Sequence, residues 1–376
     1  MGFALRWRPF WVQVHLWLGL TLGVVGVAIG LSGAVLVFDR EIDGLFNPQR
    51  YRTTGATPGL AYSDYVARAG KVLEGKARPA IVRAPEAGGD PVTVIARGRE
   101  EGGGLSRVYL DPPTGRVLDV ASGGGFIGWV HSFHESLALR DLHGREIVGT
   151  VGIAMLISSL TGACLWWPGR ARFVASLGFR RGLAVTRNLH YVAGFYGFIV
   201  LAMLSFTGAF IAYADAGRAV VAFFGPVTPP ARNVTTSESA PAGKPVSLDE
   251  AIAIAKTAYP DETLWSVGLP AGPRGTYRVN LSEPGIDSPQ PARGTVVFID
   301  PGNGAMVRRV DASTRTSGDS FLAMQRAMHS GAPFGFVGSL VICVVGLLPG
   351  LFVVTGTLMW LRARRQQPAN LSARPA

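Results

Sequence analysis

Apolar and polar stretches alternate along the chain in a simple order. Four apolar runs are each about 20 to 25 residues long, which is enough to cross a hydrocarbon core of roughly 30 Å. They cover about residues 16–38, 146–167, 189–213 and 336–361. Longer polar segments separate the first run from the second and the third from the fourth. The pattern predicts four transmembrane helices and two folded polar modules.

The two polar segments have the same internal pattern. Each begins with a helical stretch and ends in a hairpin, whose Asp-Pro turn is closed by glycine between two apolar strands. The helices are predicted at 62–69 and 247–255, and the hairpins at 108–115 and 297–304. Each segment is therefore expected to form a small α+β module. Because the order helix, module, helix occurs twice, we predict a parallel internal repeat with a pseudo-two-fold axis along the membrane normal.

The predicted fold class is an α-helical membrane protein, with a four-helix transmembrane bundle and two α+β modules outside the cytoplasm. The predicted segments are a cytoplasmic tail (1–15), the first span (16–38), module 1 (45–125), a juxtamembrane histidine segment (126–145), the second span (146–167), a basic loop (168–187), the third span (188–213), module 2 (224–318), a second juxtamembrane histidine segment (319–335), the fourth span (336–361) and a cytoplasmic tail (362–376).

The positive charge is concentrated in three short segments. The formal net charge is +11, and the two tails and the basic loop carry eleven arginines and no Asp or Glu. The positive-inside rule places both termini and the loop in the cytoplasm. The basic balance then reflects topology and attraction to anionic lipid headgroups, and it does not indicate nucleic acid. No Ala-x-Ala-like cleavage site follows the first run, so an uncleaved signal anchor is expected.

Four of the six histidines stand at matched places. His15 and His190 open the first and third runs, whereas His134 and His329 precede the second and fourth. Histidine is costly in a membrane and is the commonest metal ligand, and two axial histidines hold a low-spin haem. We therefore predict two haem b groups, one bound by His15 and His190 and the other by His134 and His329. The alternative for His15 and His190 is a role as interfacial side chains.

Other residues near these histidines have weaker signals. His131 lies three residues before His134 and is a second candidate ligand, while His143 has no counterpart and is expected at the surface. Haem propionates need cations, for which the candidates are Arg8 and Arg187 on the cytoplasmic side and Arg140, Arg145 and Arg326 on the other. Glycines 19, 23, 26, 30 and 33 form a stripe after His15, for close approach of a helix or a flat macrocycle. All four runs contain a Ser-Gly or Thr-Gly step: Ser32-Gly33, Thr161-Gly162, Thr207-Gly208 and Thr355-Gly356.

Cysteine usage excludes two alternatives. Cys164 and Cys343 lie within different runs at different predicted depths, so a disulfide between them is not expected. No Cys-x-x-Cys-His motif occurs, which argues against a covalently attached c-type haem.

Three motifs, together with the helix–module–helix layout, resemble the PepSY-associated transmembrane family across nearly the whole chain. They are His15-Leu16-Trp17-Leu18-Gly19, His131-Ser132-Phe133-His134-Glu135-Ser136-Leu137 and the Thr-Gly-x-x-x-Trp of 161–166, with a variant at 355–360. The resemblance implies an inner-membrane protein of iron uptake with periplasmic PepSY-like modules. Some members of the family are haem-containing ferrisiderophore reductases.

The preferred interpretation is a reductase that passes electrons across the membrane to a ferric siderophore in the periplasm. No flavin or nicotinamide motif occurs, so the electron donor is expected to be membrane quinol or a separate cytoplasmic reductase. Two alternatives stay open: a non-redox permease component for iron or siderophore, and a PepSY-type regulatory or interaction protein.

Overall fold

A computed structural model describes most of the chain. It covers residues 2–86, 88–99, 104–180, 182–228, 245–272, 274–282 and 294–365. The described chain divides into a helical unit, from residues 1–38, 130–217 and 325–376, and a sheet unit, from residues 39–129 and 218–324.

Helices dominate the described chain. The helices are α1 (Gly2–Leu20), α2 (Leu22–Leu36), α3 (Asp39–Phe46), α4 (Tyr62–Val72), α5 (Gly125–Ser136), α6 (Gly144–Trp166), α7 (Val185–Ala212), α8 (Ala214–Phe224), α9 (Leu248–Ala258), α10 (Ser317–Ser330) and α11 (Gly335–Arg365). The strands are β1 (Ala77–Arg83), β2 (Val92–Gly98), β3 (Leu105–Leu110), β4 (Val117–Ser122), β5 (Thr263–Gly268), β6 (Tyr277–Ser282), β7 (Val296–Ile299) and β8 (Met306–Val310).

Three helices are long and apolar enough to cross a membrane by themselves. They are α6, α7 and the segment Ala332–Arg365, which contains α11. A fourth candidate span is a bent pair, Trp7–Leu20 followed by Leu22–Leu36, with an angle of 53° between the two helices. The described chain therefore has the helices of a membrane protein, with up to four spans.

The bend in the first candidate span differs from the single run predicted at 16–38. It lies at Thr21, whose backbone N–H and hydroxyl both donate to the carbonyl of Trp17, at 3.0 and 2.6 Å. A threonine hydroxyl bonded to the carbonyl four residues earlier is a known cause of helix bending. His15 consequently lies on α1, before the bend, and most of the predicted glycine stripe lies on α2, after it.

The glycines of this stripe have separate roles. A Cβ on Gly30 would collide with the carbonyl oxygen of Gly346, and one on Gly26 would lie 3.0 Å from the sulfur of Met155, so these two glycines let α11 and α6 approach α2. Gly33 instead faces His134, and a Cβ on Gly19 would have open space around it. Most of the stripe therefore serves helix packing, which was one of the two predicted alternatives.

The sheet unit contains one antiparallel sheet of eight strands where the sequence predicts two separate modules. The strand order is β4-β3-β2-β1-β5-β6-β7-β8. Four strands come from each polar segment, and the two sets join where β1 pairs with β5, with Val82 opposite Val267. The open hydrogen-bonding edge of β1 is thus completed by the equivalent edge of the other set, which removes two exposed edges.

Helices α4 and α9 pack on the same face of this sheet. Their fully buried residues, such as Tyr65 and Ala251, contact valines that alternate along the strands. The valines of this core are Val82, Val92, Val94, Val108, Val267, Val279 and Val297. The predicted helices at 62–69 and 247–255 are confirmed, as is the capping box that Ser247 and Glu250 form at the start of α9.

Both predicted hairpins are confirmed as the β3–β4 and β7–β8 pairs. In the first, the backbone N–H of Gly115 donates to the carbonyl of Asp111, and in the second Gly304 donates in the same way to Asp300. Gly115 and Gly304 have φ angles of 66° and 75°, a region that glycine adopts without strain.

Candidate functional site

The helical unit brings His15 and His190 together. His15 lies in α1 and His190 near the start of α7, and the centroids of their imidazole rings are 6.2 Å apart, with an angle of 84° between the ring planes. Both side chains are half-buried. The two residues thus form a close pair from separate halves of the chain.

A second pair forms between His134 and His329. These residues lie near the ends of α5 and α10, which are short helices that precede α6 and α11. Their ring centroids are 6.1 Å apart, with an angle of 50° between the ring planes. The predicted juxtamembrane histidine segments, 126–145 and 319–335, are thus largely helical.

All four histidines are held at Nδ1 by a hydroxyl group from a neighbouring helix. The contacts are His15 with Thr161 (3.3 Å), His134 with Ser32 (3.1 Å), His190 with Thr355 (2.8 Å) and His329 with Thr207 (2.9 Å). These four hydroxyls are those of the Ser-Gly and Thr-Gly steps. In the first half of the chain this support is reciprocal. Ser32, which follows His15 in the chain, holds His134, and Thr161, which follows His134, holds His15.

The hydrogen-bond chain determines which ring nitrogen carries the proton. Each of the four hydroxyls donates its only hydrogen to a backbone carbonyl in its own helix, as Thr355 does to Leu351 at 2.6 Å. Its oxygen can therefore only accept from the imidazole. In addition, Nδ1 of His15 lies 3.1 Å from the carbonyl oxygen of Ser158, which is an acceptor only. Nδ1 thus bears the hydrogen, and Nε2 presents a lone pair.

The glycine of each step leaves space for the edge of the histidine ring. A Cβ on Gly162 would lie 3.0 Å from Cε1 of His15, and one on Gly33 would lie 2.9 Å from Cε1 of His134. The corresponding distances are 3.2 Å from Gly208 to His329 and 3.7 Å from Gly356 to His190. Hydroxyl and glycine therefore act together, the first orienting the ring and the second admitting it.

This arrangement suits a metal held between two imidazoles. Nitrogens about 2 Å from a shared metal, with about 1 Å more from each nitrogen to its ring centroid, would place the centroids about 6 Å apart, as they are in both pairs. Hydrogen bonding at the second ring nitrogen is the usual support of metal-binding histidines. Among the described residues, no group of three or more His, Cys, Asp or Glu has the arrangement of a metal site. A metal at either pair would therefore have to bring its other ligands with it.

The two pairs lie far apart along the helical unit. His190 and Thr207 both lie on α7, and Thr207 contacts His329 of the second pair. About 17 residues separate them, which corresponds to about 25 Å along an α-helix. The two pairs are therefore separate, as the spacing of the histidines in the sequence predicts.

The other predicted site residues occupy varied positions. Arg145 donates to the carbonyl oxygens of Ala212 and Ile211, at 3.1 and 2.8 Å, and so binds the C-terminal end of α7. The side chains of Arg8, Arg140, Arg187 and Arg326 are exposed. His131 is half-buried on α5, one turn before His134. His143 is exposed and lies 3.8 Å from a carboxylate oxygen of Glu146.

The fold defines a membrane protein with up to four spanning helices and an antiparallel sheet unit, and its helical unit contains two histidine pairs. A family model described as the PepSY-associated TM region matches residues 12–363. The chain therefore belongs to that family. No curated protein matches the chain.

Proposed function

We propose that this protein binds two haem b groups, one between His15 and His190 and the other between His134 and His329, and that it passes electrons across the membrane to a ferric chelate. The observation that carries the proposal is the pair of imidazole–imidazole distances, 6.2 and 6.1 Å, with all four Nδ1 atoms engaged by hydroxyls. Haem would bring most of its iron ligands with it and would take from the protein only the two imidazole nitrogens that each pair offers. Zinc, in contrast, takes three or four protein ligands.

Haem held by the two histidines of a pair would supply reversible one-electron transfer. The hydroxyl groups beside the histidines would prepare the rings to bind iron. Thr161, Ser32, Thr355 and Thr207 keep the proton on Nδ1, and so leave Nε2 of each histidine available to iron.

The proposed direction of transfer rests on the topology that the charge distribution supports. The positive-inside rule supports an inner-membrane topology with both termini and the basic loop in the cytoplasm. In that topology His15 and His190 stand near the cytoplasmic face, and the sheet unit lies in the periplasm. Electrons from quinol or from a cytoplasmic reductase would enter at the first pair and leave at the second.

The proposed substrate is a ferric siderophore in the periplasm. Siderophore oxygen ligands are hard donors, which suit ferric iron much better than ferrous iron. One electron delivered at the His134–His329 pair would reduce one ferric ion to the ferrous state, and the chelate would then release it. The family to which the chain belongs supports this choice, since some of its members are ferrisiderophore reductases.

Haem content tests the first part of the proposal. Pyridine haemochrome analysis of protein purified in detergent from haem-replete cells should give about two non-covalent b-type haems per chain. A colourless preparation would overturn the redox proposal and leave a permease component or a PepSY-type regulatory protein as the function.

Reoxidation tests the second part. Dithionite-reduced protein should be reoxidised by a ferric hydroxamate, and a ferrous chelator should trap about one ferrous ion for each haem reoxidised. The rate should fall sharply in His134→Ala and His329→Ala, whereas His143→Ala, which alters an exposed histidine, should match the wild type. If reduced protein ignored ferric chelates but reduced a periplasmic protein, its function would be an electron conduit for another enzyme.

A further inference from the structure

Trp166, the last residue of α6, has a buried indole N–H with no acceptor. Its Nε1 atom is inaccessible to solvent and makes no hydrogen bond with the described part of the chain. Buried donors in proteins are almost always paired, and an unpaired donor is costly within a membrane-spanning helix. The orphaned N–H therefore indicates an acceptor that the described residues do not supply.

The position of Trp166 relates it to the His15–His190 pair. Trp166 follows Gly162 by four residues, and so lies one turn further along the same face of α6. Gly162 is the residue whose Cβ would lie 3.0 Å from the ring of His15. The indole thus belongs to the face of α6 that supports this histidine.

Aromatic packing holds the indole in place. Its ring centroid lies 4.5 Å from that of Phe195, with 32° between the planes, and 6.0 Å from that of Phe173. Phe195 directly follows Gly194, around which a Cβ would have open space. Trp167 differs, since it is 57% exposed, as is typical of an interfacial tryptophan.

In the second half of the chain, the residue that corresponds to Trp166 is Trp360, and it lies next to a cation. Trp360 follows Gly356 by four residues, as Trp166 follows Gly162, and Gly356 is the glycine beside His190. The guanidinium of Arg364 lies over the Trp360 ring, 4.4 Å from its centroid. A donor or a cation therefore stands at this place in both halves.

We propose that the indole N–H of Trp166 donates to a carboxylate of the group bound between His15 and His190, which is a propionate if that group is haem. The inference rests on the proposed function. An ionised carboxylate only accepts hydrogen bonds and is costly near a membrane interior without donors. Trp166 would thus be a positioning residue, which fixes the rotation of the macrocycle about the axis between the two histidines.

Trp166→Phe keeps an aromatic ring against Phe195 and removes the N–H, and Trp167→Phe is the matched control. We expect both variants to retain two haems per chain. In Trp166→Phe the carboxylate loses a donor, and its fuller negative charge favours the ferric state. At a fixed potential the ratio of reduced to oxidised haem at this site should fall about tenfold, a midpoint shift of about −59 mV for one electron. The propionate bending mode in the resonance Raman spectrum should shift as well.

The outcomes separate this inference from the proposed function. Wild-type protein without haem would overturn both the proposed function and the role of Trp166. Wild-type protein with two haems, but with equal midpoints and Raman spectra in Trp166→Phe and Trp167→Phe, would overturn the role of Trp166 alone. If Trp166→Phe failed to load the first haem, Phe195→Leu would decide, because it removes the ring contact and keeps the N–H. A loaded Phe195→Leu with the wild-type midpoint supports the hydrogen bond, whereas the same loss of haem assigns Trp166 to packing and overturns the proposal.

Discussion

The hydroxyl of Thr355 lies 2.8 Å from Nδ1 of His190 and accepts the hydrogen that this nitrogen carries. The hydroxyl can only accept, because its own hydrogen is donated to the carbonyl of Leu351. The contact therefore sets both the tautomer and the orientation of the ring, and it can be removed without touching the histidine.

Thr355→Val should weaken the first haem site while the protein stays folded. Valine has nearly the shape of threonine but cannot accept from Nδ1, and loss of such a supporting hydrogen bond typically lowers metal affinity by about 10- to 100-fold. Haem transfer to apomyoglobin measures the change. Thr357→Val, two residues along and therefore on another face of α11, is the control and should retain wild-type affinity.

Histidine substitutions should divide the haems into two sets. His15→Ala and His190→Ala should each lose the first haem, and His134→Ala and His329→Ala the second, because each variant removes one of the two histidines proposed to hold that haem. Pyridine haemochrome analysis should give about one haem per chain in each single variant. The double variant of His15 and His190 should also retain about one, and full haem content in it would contradict the pairing.

His131 offers a specific alternative at the second site. It lies one turn before His134 on α5 and is half-buried. His131→Ala should retain both haems. If it emptied the second site and His134→Ala did not, His131 would be the ligand and the other three assignments would stand.

The space that glycine leaves beside a histidine ring can be tested by the same Gly→Ala change at two positions. Gly33→Ala would put a Cβ 2.9 Å from Cε1 of His134, which forces the ring to move, whereas Gly356→Ala would put one 3.7 Å from Cε1 of His190, an ordinary contact. Haem content should fall from about two toward one per chain in Gly33→Ala and stay at two in Gly356→Ala. Equal effects of the two substitutions would contradict the steric argument.

The stability of the sheet unit should depend on Asp311. Burial alone would raise the pKa of this carboxyl, but hydrogen bonds from Ser313, Tyr259 and Thr314 outweigh it and hold the pKa well below its usual range. A carboxyl with a lowered pKa stabilises the fold fully above its unfolded pKa of about 3.9, and the stabilisation is lost as the pH falls through the folded value.

Asp311→Asn should therefore lower the free energy of unfolding by about 1 to 3 kcal/mol at pH 7. It should also flatten the loss of stability in acid, because the variant has no such carboxyl to protonate. Thermal midpoints in detergent, measured from pH 7 down to about pH 2, check both effects. Asp261→Asn, at an exposed turn, is the control and should follow the wild-type curve.

The sequence predicts which histidines form pairs better than it predicts the side chains that hold them. The equal spacing of His15 and His190 within their runs predicts that they belong to one site, and the structure brings them together. The Thr-Gly steps are visible as a repeated pattern, but their contacts depend on how neighbouring helices are aligned, which no single run determines. The contact between Thr161 and His15 is set by the alignment of α1 against α6.

Two features of the fold depend on interactions that a local pattern does not contain. At the bend, the hydroxyl of Thr21 bonds to the carbonyl of Trp17. Thr161 and Thr207 make the same kind of bond within continuous helices. The β1–β5 pairing joins strands from distant parts of the chain, and either edge is compatible with an isolated module. The helices and hairpins within each module, in contrast, follow from short sequence patterns and are confirmed.

The reciprocal support of the histidines has a consequence for biogenesis. The first site needs His15, Thr161, His190 and Thr355, which lie on α1, α6, α7 and α11, so it draws on every candidate span. A nascent chain cannot complete this site until its last span has been synthesised and inserted. Translation and membrane insertion therefore precede assembly of the site, and a protein truncated before α11 would lack the hydroxyl that orients His190.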